Sequence, residues 1–68
     1  MTNTSLLEQY IAKSGYKKAY IAQQLGITAY ALTLKINNKS EFKGSEMQIL
    51  GKLLKMSARD KNAIFFAE

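Results

Sequence analysis

The chain contains no cysteine, histidine, proline or tryptophan. Without cysteine no disulfide forms, and without histidine as well the usual zinc ligand set cannot be assembled. A domain of 68 residues commonly relies on such a staple or on a partner subunit, so well-packed helices or self-association must take that role here. The absence of cysteine accords with a reducing compartment, and a cytoplasmic location is expected. The longest apolar run, Ala63 to Ala67, falls far short of the roughly 20 residues that span a bilayer. The first residues also lack a basic-then-apolar leader, so no membrane partner is expected. With no histidine or cysteine, five dispersed carboxylates and no phosphate-cradling glycine pattern, neither an enzyme nor a bound cofactor is expected.

What is present describes a folded, basic domain. The sequence is 47% hydrophobic and 22% charged, too apolar for a disordered tail, and its net charge of +5 suits an anionic partner. The charge is unevenly spread. Between Tyr16 and Lys43 stand Lys17, Lys18, Lys35, Lys39 and Lys43 against Glu41 alone, whereas acid and base nearly balance elsewhere.

Apolar residues recur at helical spacing throughout, strand-like alternation is missing, and the fold class is all-α, a compact five-helix bundle in one domain over residues 1–68. Ser5 with Glu8 reads as a capping box for a first helix whose inner face carries Leu7, Tyr10, Ile11 and Ser14, and Gly15 ends it. A second helix is predicted over about 18–25, burying Ile21, Ala22 and Leu25, and Gly26 stops it. Thr28 caps a third helix over about 29–36 with Leu32 and Ile36 inward. After a polar loop over 37–44, Ser45 with Gln48 reads as the capping box of a fourth helix carrying Met47, Ile49, Leu50, Leu53 and Leu54. Ser57 with Asp60 opens a fifth, which ends in Ile64, Phe65 and Phe66.

The segment over 18–36 has a tighter logic. Two short helices that cross steeply need a small residue at the crossing, Ala22, and four residues later a turn residue tolerant of positive φ, Gly26. Ile27 then plugs the space between the helices. This is the pattern of a helix-turn-helix. On Ala22, Gly26, Ile27, Thr28 and Leu32, together with the run Leu32-Thr33-Leu34-Lys35-Ile36-Asn37-Asn38-Lys39, the chain resembles the Cro/repressor-like family of small phage and bacterial transcription regulators. The resemblance covers nearly the whole chain.

The resemblance implies a lambda-repressor-like DNA-binding domain acting in a bacterial or phage-infected cell. Its third helix would enter the major groove of double-stranded DNA. Carried over by position, Ala29, Tyr30, Thr33 and Leu34 are the expected base-reading residues, through the Tyr30 and Thr33 hydroxyls and apolar contact of Ala29 and Leu34 with thymine methyls. Placing residues at 100° steps turns Leu32, Ile36 and Ala29 inward and Tyr30 and Leu34 outward. Lys17 and Lys18 at the start of the second helix, and Asn37, Lys39, Ser40 and Lys43 in the loop after the third, are the expected phosphate contacts. The chain departs from the family in having few bidentate groups on the third helix and Lys17 where a hydroxyl cap usually stands. An outward Tyr30 and Leu34 also suit a protein partner, which makes an interaction module the alternative function. A homodimer on DNA is expected, with Ile64, Phe65 and Phe66 as its interface, because three consecutive large apolar residues cannot all face inward from one short helix.

Overall fold

The computed structural model describes residues 1–67. Five helices follow in order, α1 Thr4–Ser14, α2 Lys18–Leu25, α3 Ala29–Ile36, α4 Gly44–Leu53 and α5 Ala58–Phe65, with no strand among the described residues. None of these helices is long and apolar enough to cross a membrane. Helix α2 packs on α3 and α4, while α5 packs on α1 and α4, so that Leu7, Ile21, Leu32, Ile36, Leu50 and Ile64 meet in one fully buried core. Phe42, from the loop after α3, joins that core edge-on to Phe65, with ring centres 5.4 Å apart.

The helix stops follow local chemistry. Gly15 and Gly26 sit at φ +75° and +73°, the left-handed conformation that glycine takes without a Cβ penalty. At the end of α2 the N–H of Ile27 donates to the Ala22 carbonyl and that of Gly26 to Gln23, which closes a Schellman turn. Asn38 and Lys55, at φ +63° and +56°, close the same turn after α3 and α4. Thr28 and Ser57 cap α3 and α5 as their sequence contexts predict, their hydroxyls accepting from Ala31 N–H and Asp60 N–H.

Two helix starts differ from expectation. Helix α1 is capped by Asn3, whose Oδ1 accepts from Leu6 N–H, rather than by Ser5. The earlier start is favoured by tertiary bonds, because Asn3 N–H also donates to the Ile64 carbonyl at 2.7 Å and the Thr4 hydroxyl donates to the Ile36 carbonyl. Helix α4 begins at Gly44 with Lys43 as its N-cap, and the Ser45–Gln48 box is not used. Instead Glu46 reaches back to accept from Lys43 N–H at 2.8 Å. A lysine side chain has no acceptor to offer in return, so only that half of a capping box forms.

Candidate nucleic-acid interface

The unit formed by α2, the Gly26 turn and α3 is built from the core outward. Ile21, Ala22, Leu32 and Ile36 are buried, and Leu25 and Ile27 pack partly buried against them. Burial of that stripe leaves the opposite side of α3 in solvent. Tyr30 is 73% exposed and Thr33 is exposed, while Leu34 is half-buried. Ala29 is exposed rather than inward, since it is the first residue of α3 and lies beyond the end of the buried stripe. Of the four expected base readers, three therefore face solvent and one is partly covered. The Thr33 hydroxyl donates to the Ala29 carbonyl one turn back, which leaves its oxygen as an acceptor for an outside donor.

The expected phosphate contacts divide into two groups. Lys17, Lys39 and Lys43 are exposed and form no ion pair among the described residues, and Ser40 and Asn37 are exposed beside them in the loop. Lys18 is paired with Glu8 at 3.0 Å, with both side chains more than 40% exposed. Such a pair contributes at most about 1 kcal/mol in water, so its exchange for a phosphate is inexpensive.

Lys35, which contributes to the basic stretch in the sequence, does not belong to this surface. Its ammonium is buried and lies 2.7 Å from Glu46 Oε1, the same oxygen that accepts from Lys43 N–H. Burial alone would raise the Glu46 pKa, but the hydrogen bonds from Lys35 and the Lys43 backbone, with the charges of both lysines, outweigh it and hold the carboxyl below its ordinary range. The pair ties α3 to the first turn of α4, where Glu46 also holds the Lys43 backbone at the far end of the loop.

Two further features had no signal in the sequence pattern. The rings of Tyr16 and Tyr20 stack at 5.0 Å with an interplanar angle of 38° at the start of α2, both about two-fifths exposed. The Tyr10 hydroxyl donates to Asp60 Oδ2 and joins α1 to α5. That hydrogen bond, partial burial and the Asp60 charge together raise the Tyr10 pKa above 10.0.

The expected dimer surface needs correction. Ile64 and Phe65 are buried in the chain's own core, and of the three terminal apolar residues only Phe66 is available, at 64% exposure. Helix α5 turns its 64 and 65 positions inward to α1 and Phe42, which leaves the next position, 100° further round, in solvent. The chain matches no known family model, no curated protein and no solved structure.

Proposed function

We propose that the chain is a sequence-specific DNA-binding transcription regulator of the helix-turn-helix kind, similar to the Cro and repressor proteins, which inserts α3 into the major groove. The observation that carries this reading is the pairing of an outward α3 face with free cations. Ala29, Tyr30 and Thr33 are exposed, and the chain before and after the α2–α3 unit carries Lys17, Lys39 and Lys43 with no ion-pair partner among the described residues. Lysines so placed neutralise phosphates on either side of a helix in the groove, while the helix reads base edges. The few hydrogen-bonding groups on α3 make apolar contact with thymine methyls, through Ala29 and Leu34, and the Tyr30 hydroxyl its main means of discrimination.

On DNA the unit would act as a homodimer. One helix of eight residues spans only a few base pairs, and two-fold related copies would double the site. Phe66, the C-cap of α5, is a large exposed apolar residue that such a contact would cover. A second reading, a module that binds another regulatory protein through Tyr30 and Leu34, is favoured by the size and exposure of Tyr30. Titration of duplex DNA at low and at moderate salt separates the two. Affinity that falls steeply with salt supports DNA binding, and the absence of binding at low salt overturns it.

A further inference from the structure

The loop that carries Lys39, Ser40 and Lys43 is held at both ends. Its far end is fixed by the bond from Lys43 N–H to Glu46, which the Lys35 ammonium buttresses. Its near end is fixed by Asn38, and the partner there is the segment preceding α1. Thr2 N–H donates to Asn38 Oδ1 at 2.8 Å, and Asn38 Nδ2 donates to the Thr2 carbonyl at 2.9 Å. The side-chain amide thus pairs with the Thr2 backbone as one strand pairs with another. Next to it the Thr4 hydroxyl donates to the Ile36 carbonyl, and Asn3 N–H donates to the Ile64 carbonyl. One short segment therefore joins the exit of α3 to the end of α5.

Asn38 is suited to this role by backbone as well as side chain. At φ +63° it ends α3, and glycine is the residue most tolerant of that conformation. Asparagine is next in tolerance and adds an amide with both a donor and an acceptor. A glycine there would permit the turn's backbone conformation but leave the Thr2 backbone unpaired.

We propose that Asn38 is a positioning residue for the phosphate-contacting loop, and that the Thr2–Thr4 segment is a latch belonging to the DNA-binding machinery rather than a passive lead-in to α1. The inference rests on the DNA-binding reading. Lys39 follows Asn38 directly and its N–H is bonded to the Leu34 carbonyl at 2.8 Å in the turn that Asn38 closes, so losing the Asn38–Thr2 bonds removes the outside support of that turn and loosens the near end of the segment leading to Lys43. The bonds at Asn38 are exposed to solvent, where each is worth little net, so the latch opens without unfolding the domain.

The test is Asn38→Gly in two backgrounds, the unaltered chain and the Lys39→Ala/Lys43→Ala variant, with duplex affinity measured across salt and amide exchange measured on the free proteins. In the unaltered background N38G is expected to keep a cooperative melt, to speed exchange at the Lys39 amide, which is bonded to the Leu34 carbonyl, to weaken duplex binding about tenfold and to reduce the logarithmic salt slope by about one. In the lysine-less background it is expected to change affinity by no more than about twofold, because the contacts through which it acts are gone. An equal loss in both backgrounds would show a general structural effect and overturn the proposal, as would unchanged exchange at the Lys39 amide. Should the intact chain not bind duplex at low salt, the DNA-binding reading falls and takes this role of the latch with it. Firm binding by the intact chain with unaltered affinity of N38G overturns the latch alone.

Discussion

Lys35 and Glu46 form an ion pair inside the domain, 2.7 Å apart, in which one carboxylate oxygen serves both the Lys35 ammonium and the Lys43 backbone N–H. Removing one charge strands the other in a poorly hydrated site. Lys35→Met is expected to destabilise the domain by about 3 kcal/mol, a large share of what a small domain has. Adding Glu46→Gln, which keeps an acceptor for Lys43 N–H, is expected to recover most of that loss. Urea unfolding of the two variants checks this, and equal instability of single and double variants would mean that the pair is not buried as described.

The same carboxylate sets an acid limb. Because the Glu46 pKa is lowered in the folded chain, its contribution is fully present above the unfolded-state value, near 4.3, and is lost as pH falls through the lower folded value. Glu46→Gln is expected to flatten the loss of stability below about pH 4.3, measured by urea midpoints over that range.

At the alkaline end the sign reverses for Tyr10. Its pKa is raised, first by the hydrogen bond to Asp60, so its contribution holds below about pH 10 and is lost as pH rises through the folded value. Spectrophotometric titration of tyrosine is expected to show a late-ionising group that returns to the ordinary range in Asp60→Asn and disappears in Tyr10→Phe.

Gly26 has open space where a Cβ would stand, so its requirement is conformational, set by φ +73°. Gly26→Ala is expected to cost about 1 to 2 kcal/mol and Gly26→Val somewhat more, through strain and not through a clash. Lys55 presents the converse case. At φ +56°, Lys55→Gly is expected to raise the melting temperature, the relief of strain exceeding the added freedom of the unfolded chain. A lower melting temperature for Lys55→Gly would contradict this account.

Under the proposed DNA-binding function, the ion pair of Lys18 with Glu8 sets that lysine apart from the others. Ala replacement of Lys17, Lys39 or Lys43 is expected to weaken binding to all sequences alike and to reduce the salt slope by about one each. Lys18→Ala is expected to do less, because Glu8 is already its partner. A slope indifferent to the first three replacements would remove them from the interface. Phe66→Ser is expected to leave the fold intact and to reduce the occupancy of two-copy complexes on a symmetric duplex, read by sedimentation.

The bounds of α2 and α3 are legible in the sequence because short-range rules govern them. A threonine cap, a glycine at positive φ and apolar residues three and four apart fix 18–25 and 29–36 without reference to the rest of the chain. The exposure of Tyr30 and Thr33 follows from the same periodicity. Where the chain had a choice, distant partners decided. Ser5 and Asn3 are both competent caps, and Asn3 prevails with support from a distance, its N–H bonded to the Ile64 carbonyl and the Thr4 hydroxyl to that of Ile36, both acceptors more than 30 residues away. Composition counts Lys35 as one more surface cation, yet it is buried because a carboxylate 11 residues on arrives within hydrogen-bond reach. In Ile64-Phe65-Phe66 the pattern requires one residue to remain outside, and only the packing of α5 on α1 and Phe42 selects Phe66. Local hydrogen bonding and helical periodicity are encoded within a few residues, whereas desolvation is a property of what else arrives at a site, and that is decided by the assembled fold.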